Sequence, residues 1–145
     1  MDLIKGMQPA LEAAEECLKW NQDVPVGCAI YRGDELIATA YNTRERDGNI
    51  TGHAEITAIR EACRIVGDWR LSDCSIFVTL EPCPMCAGAI AAARFEKLVF
   101  GAVRTDGATP CHVILPEAMK IYPGVCGVES AELLKKFFEG RRQGL

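Results

Sequence analysis

Two short stretches carry residue types that can hold a metal and move protons. One is His53-Ala54-Glu55; the other is Pro82-Cys83-Pro84-Met85-Cys86. Taken singly each says little, and a lone Cys-x-x-Cys suits a metal site, a redox pair or core packing. Taken together they say more. Cys83 and Cys86 are three residues apart, so at the start of a helix both thiols share one face of the first turn. That end of a helix is positive and favours thiolate over thiol. Two thiolates and an imidazole are good zinc ligands, and a site with three protein ligands keeps its fourth tetrahedral position for water. The other histidine, His112, stands beside Cys111 in a weakly patterned segment. Cys111 stays open as a fourth, closing ligand, although its spacing does not favour it.

Glu55 points to catalysis. It lies two residues from His53 and can reach a water at the fourth position. Zinc lowers the pKa of such a water toward about 7, and a neighbouring carboxylate can take the proton and deliver it elsewhere. The alternative is a first-turn carboxylate that only interacts with the helix dipole. The expectation is one Zn2+ per chain on His53, Cys83 and Cys86, with Glu55 as the catalytic acid–base group.

The elements that would position these residues can be read from periodicity. Leu11, Ala14, Cys17 and Leu18 recur at helical spacing, which predicts a helix over Pro9–Asn21 with Pro9 in its first turn. Val26–Tyr31 reads as a buried strand, Arg32-Gly33-Asp34-Glu35 as a turn, and Leu36–Tyr41 as the returning strand of a hairpin. Asn42–Thr51 is a polar loop. Ala54–Val66 is helical and Gly67 ends it. Ser75–Leu80 is the clearest strand, Pro84–Ala93 a buried helix, and Lys97–Gly101 another strand. Ala102–Pro116 reads as a loop, Met119–Tyr122 as a short strand, and Ser130–Arg142 as a closing helix with Leu133, Leu134, Phe137 and Phe138 as its apolar stripe. Strands alternating with helices predict a layered α/β domain with a mixed sheet.

The chain has 145 residues, 49% of them hydrophobic, a net charge of −4 and eight cysteines. That is enough for one domain with one core, over residues 1–145. No apolar run of about 18 residues exists, so no membrane span is expected. Met1-Asp2-Leu3-Ile4-Lys5-Gly6 lacks the pattern of an export signal. The cysteines therefore read as reduced, cytoplasmic thiols rather than a disulfide scaffold. The acidity argues against a general electrostatic grip on nucleic acid but leaves room for a local basic patch.

The pattern His53-x-Glu55 with Pro82-Cys83-x-x-Cys86 resembles the zinc-dependent cytidine and nucleobase deaminases, a superfamily whose signature and reaction are well described. Within it the chain is most similar to bacterial tRNA adenosine deaminases. The likeness runs through Val24-Pro25-Val26-Gly27, Asn42, His53-Ala54-Glu55, Thr79-Leu80-Glu81-Pro82-Cys83-Pro84-Met85-Cys86-Ala87-Gly88-Ala89 and Val99-Phe100-Gly101-Ala102, and resumes in the last helix. The resemblance implies a three-layer α/β/α sandwich around a mixed sheet of about five strands. It implies hydrolytic deamination, with Asn42 and the Ala54 backbone contacting the base and Val26 and Leu80 lining its pocket. It also implies a homodimer acting on a tRNA anticodon loop.

Three stretches depart from those tRNA enzymes: Val103–Ala118, Ala92-Ala93-Arg94 and Asn49-Ile50-Thr51-Gly52. They bear on the substrate, not on the reaction. A deaminase of a free nucleobase or small heterocycle is the alternative, and a non-catalytic zinc-stabilised binding protein the remaining one. On the tRNA reading, Arg44, Arg46, Arg104, Lys135, Arg141 and Arg142 should lie along one approach to the zinc.

Overall fold

The computed structural model describes residues 1–143, with side chains as far as Arg141. It begins with α1 (Leu3–Trp20), which Asp2 caps by accepting the amides of Ile4 and Lys5 at 2.9 and 3.2 Å. The helix therefore starts a turn and a half before Pro9, which lies inside it rather than in its first turn. Tertiary contacts outweigh the proline: Met7 is buried, and the Tyr31 hydroxyl donates to the Gly6 carbonyl at 2.9 Å. These hold the turn from which proline removes a hydrogen bond.

A hairpin follows, β1 (Gly27–Arg32) and β2 (Glu35–Tyr41), then a short helix α2 (Arg44–Asp47) inside the stretch read as a loop. Next come α3 (Ala54–Val66), β3 (Cys74–Leu80), α4 (Pro84–Ala93) and β4 (Lys97–Ala102). A second short helix, α5 (Cys111–Ile114), interrupts the segment read as irregular, before β5 (Lys120–Tyr122) and α6 (Gly127–Gln143). Four residues make too little periodic signal for either short helix to be legible. The last helix also starts three residues earlier than Ser130, and Phe138, read as part of its apolar stripe, is exposed.

The sheet order is β2-β1-β3-β4-β5. β1 pairs antiparallel with both β2 and β3, whereas β3–β4 and β4–β5 are parallel. This is the mixed five-stranded sheet expected. Alternation along the strands divides the core in two. Ala29, Tyr31, Phe77 and Val99 pack with Met7, Ala10, Leu11 and Ala14 of α1 and Leu133 of α6. Cys28, Ile30, Ile76, Val78, Leu98 and Phe100 pack with Ala54, Ala58 and Ala62 of α3 and Ala87 and Ile90 of α4. The result is an α/β/α sandwich. Gly27 shows how closely α1 lies on β1: a Cβ there would land on the Ala10 carbonyl oxygen and 2.7 Å from the Ala14 amide nitrogen.

All eight cysteines are free thiols. Outside the metal-ligand cluster, burial pushes Cys17 and Cys74 up to about 11 and Cys111 up to about 12 from an ordinary 9.0. Below pH 9 the folded and unfolded chains both hold these protons. Between pH 9 and about 11–12 the unfolded chain releases them while the folded chain keeps them, so stability falls with rising pH. Urea unfolding at pH 8, 9 and 10 should show a midpoint constant to pH 9 and declining above it.

Candidate active site

His53 is the N-cap residue of α3 and Cys83 the N-cap of α4, with Pro84 opening the first turn behind it. Neither side chain makes a capping hydrogen bond, so both donor atoms are free to point elsewhere. They point at each other. His53 Nδ1 lies 3.6 Å from Cys83 Sγ and 3.5 Å from Cys86 Sγ. One ligand atom from each of the three residues lies within 4.8 Å of the others. A tetrahedral zinc with Zn–S of about 2.3 Å and Zn–N of about 2.05 Å holds nitrogen and sulfur about 3.6 Å apart. The donor triangle therefore fits zinc in both chemistry and size.

Among the described residues no fourth His, Cys, Asp or Glu joins this cluster. Cys111 offers its amide to Glu81, and Cys126 lies 3.8 Å from the Gln8 side chain. Three protein donors leave one tetrahedral vertex open, as a catalytic site requires.

The two cysteine sulfurs are hydrogen-bonded to each other. The Cys86 thiol donates to Cys83, and with His53 nearby this pulls Cys83 down to about 3. The same hydrogen bond, with burial, holds Cys86 far above an ordinary thiol. Glu55, in the first turn of α3, is only 4% exposed. Burial raises its carboxyl above the ordinary range, opposed in part by its own backbone amide. It stands outside the donor cluster and, among the described residues, in no ion pair.

Next to these groups is a cavity of about 120 Å³, lined by Val24, Val26, Asn42, Arg44, His53, Ala54, Glu55, Leu80, Glu81 and Arg104. At about 30 Å³ per water, that is room for roughly four waters, the scale of one planar heterocycle. All four residues expected to meet a substrate, Asn42, Ala54, Val26 and Leu80, are on its wall. Asn42 is also a turn residue: its amide donates to the Val24 carbonyl, and its oxygen accepts the Arg44 amide, both at 3.1 Å. One amide hydrogen remains for a ligand.

Four further residues form the wall: Arg44 and Arg104, expected along the approach to the zinc, and Val24 and Glu81, given no role of their own by the sequence. Val24 and Arg44 flank recognised positions. Glu81 carried a faint signal, an acid between an apolar strand and Pro82. Arg104 falls in the segment without regular pattern.

Cys83→Ala removes one corner of the donor triangle. Zinc content should fall from about one per chain to below about 0.1, and the melting temperature should drop with it, because metal and folding free energies are linked. Cys63→Ala, which leaves the triangle intact, should keep its zinc. Elemental analysis and a thermal melt read both.

The comparisons with known proteins agree with the site. The model of the cytidine and deoxycytidylate deaminase zinc-binding region matches residues 2–102. The tRNA-specific adenosine deaminase of Bacillus subtilis (strain 168) is 38% identical over 141 residues, covering 91% of this chain and 88% of the relative. A solved structure from studies of A-to-I editing by tRNA:A34 deaminases at the wobble position of transfer RNA superimposes with a TM-score of 0.81. It is 34% identical, over 89% of this chain and 98% of the other. The guanine deaminase of Bacillus subtilis is 33% identical with a TM-score of 0.70, over 78% of this chain and 74% of the other. With the donor triangle and the sandwich in place, the matched region identifies the chain as a zinc-dependent hydrolytic deaminase, and it belongs to the cytidine and deoxycytidylate deaminase family.

Proposed function

We propose that this deaminase converts adenosine to inosine in the anticodon loop of a transfer RNA. The observation that carries the reading is the base-sized cavity beside Glu55, with Arg44 and Arg104 in its wall. Two further arginines pack against the carboxyl end of α1. Arg46 follows Arg44 in the same short helix and covers the Trp20 ring at 5.1 Å. Arg141 donates to the carbonyl of the adjacent Asn21 at 2.8 Å. Cations around a pocket that admits one base suit a nucleotide turned out of a strand, its ring inside and its phosphates at the rim. The near full-length likeness to tRNA-specific adenosine deaminases supports the same substrate. The side chain of Arg142 lies outside the described residues.

When bound, zinc supplies the Lewis acidity that makes a water a nucleophile near neutral pH. His53, Cys83 and Cys86 would hold it. Glu55 moves the protons: it takes one from the attacking water, hands it to the ring nitrogen N1, and helps the C6 amino group leave as ammonia. Water and adenosine give inosine and ammonia. Val26 and Leu80 pack against the ring faces, while Asn42 and the Ala54 backbone meet its edge. Burial of Glu55 keeps bulk water from competing for its proton.

The cavity's small volume gives the free-base reading its one favourable observation, since a lone base would fill it. We also infer a homodimer, because α4 leaves Met85, Gly88 and Ala92 exposed along one apolar side. A cytoplasmic location follows from the proposed substrate, and no helix among the described residues is long and apolar enough to cross a membrane.

An anticodon stem-loop carrying adenosine at the wobble position should yield inosine, while free adenine, guanine and cytosine should not release ammonia at comparable rates. Two arginine–phosphate contacts on a single strand, from Arg44 and Arg104, give a salt slope of about −1.4. Affinity should then fall about sevenfold between roughly 50 and 200 mM salt. Turnover of a free base, insensitive to salt, would replace this reading with the small-molecule one. Glu55→Gln should keep one zinc per chain and lose at least about 10²–10⁴-fold in turnover. Substantial residual activity would assign the proton transfer to another group.

A further inference from the structure

We propose that Asp23 and Glu81 are positioning residues of this deaminase, each gripping two backbone amides of a segment that bears a cavity-lining arginine and so fixing Arg44 and Arg104 in the cavity wall. The inference rests on that cavity being where the substrate enters. Asp23 is 3% exposed and Glu81 5% exposed. Carboxylates this buried need partners. Among the described residues neither has a cation. Each spends its two oxygens on main-chain N–H groups instead.

Asp23 accepts the amide of Glu45 at 2.7 Å on one oxygen and that of Arg46 at 3.0 Å on the other. These are first-turn amides of α2, whose own N-cap residue, Thr43, makes no side-chain cap. Glu81 does the same for a second segment. Its oxygens accept the amide of Arg104 at 3.1 Å and that of Cys111 at 3.0 Å. The second is the first amide of α5, whose N-cap, Pro110, has no side chain to offer. Residues 103–110 have no regular structure, so Glu81 clamps both ends of that irregular stretch to the strand leading to Cys83.

The two clamps are alike in design. One holds the segment bearing Arg44, the other the segment bearing Arg104. Both arginines line the cavity, and neither segment has a sheet ladder of its own. Arg104 is also paired with Asp106, which fixes the guanidinium once the backbone is placed. Arginines held in place lose less freedom on gripping a phosphate than arginines on loose loops. The effect therefore belongs to substrate capture rather than to the proton transfers at Glu55.

The test uses the zinc-loaded protein. Residue-resolved amide exchange should show Glu45, Arg46, Arg104 and Cys111 protected at least about 100-fold more than Thr105 and Gly107. Glu81→Gln keeps the volume but turns one acceptor into a donor facing an amide. It should lower protection at Arg104 and Cys111 by about tenfold or more, with zinc retained. KM for the anticodon stem-loop should rise by about tenfold and kcat should change by less than about threefold. Asp23→Asn should do the same at Glu45 and Arg46. Unprotected amides in the unsubstituted protein overturn the proposal. So does a lowered melting temperature with KM unchanged, or a loss confined to kcat. If both variants fail to fold, the exchange pattern of the unsubstituted protein decides. A stem-loop that the unsubstituted protein does not turn over sinks the substrate reading, while amide exchange still judges the clamps.

Discussion

Everything at this site depends on two helix N-termini meeting at one point. The first residue of each, His53 before α3 and Cys83 before α4, is a metal donor where a capping serine or aspartate would ordinarily stand. The parallel β3–α4–β4 unit starts α4 at the carboxyl end of β3, and α3 lies beside it on the same face of the sheet. Two positive helix ends then face a cation site, an arrangement that would repel if left alone. The thiolates of Cys83 and Cys86 and the carboxylate of Glu55 offset it. The positive ends in turn stabilise those anions in a place where water is scarce.

Burial of Glu55 follows from the same convergence. A carboxylate that is 4% exposed is expensive without a counter-charge. The groups that act on it are its own backbone amide, the His53 ring and the Cys83 and Cys86 sulfurs. Burial favours the protonated acid, while its own backbone amide, the His53 ring and the Cys86 thiol favour the carboxylate. The fold therefore holds its proton carrier between opposing influences beside the metal donors, and this couples the packing of the site to the chemistry it performs.

Much of this was legible in the sequence, and the reason differs between parts. The strands around Val26–Tyr31 and Ser75–Leu80 are buried on both faces and read as apolar runs. The donors were legible because His-x-Glu and Cys-x-x-Cys are local spacings. The start of α1 was not: Asp2 caps it and Tyr31 and Phe77 pack against its first turns, and a proline rule knows nothing of tertiary contacts. α2 and α5 are too short for periodicity. Asp23 and Glu81 were invisible as clamps because their partners are about 20 to 30 residues away in the chain. A carboxylate that accepts main-chain amides leaves no mark on the partner's identity.

The negative charge of the whole chain was the strongest sequence argument for a small substrate, and the structure shows why it carries little weight. At physiological salt, charges are screened over about 8 Å, so a distant acid hardly alters the field at the cavity. The carboxylates of Glu12, Glu15 and Glu16 border a separate groove along α1 and β2. The cavity wall carries Arg44 and Arg104, paired with Glu45 and Asp106, alongside Glu55 and Glu81. Arg104 stands in the very segment that departs most from the tRNA enzymes. The sequence there has changed, yet a cation still lines the cavity, held by a carboxylate one strand-end away from the metal loop. The irregular segment is thus a rebuilt wall that retains a means of gripping an anion.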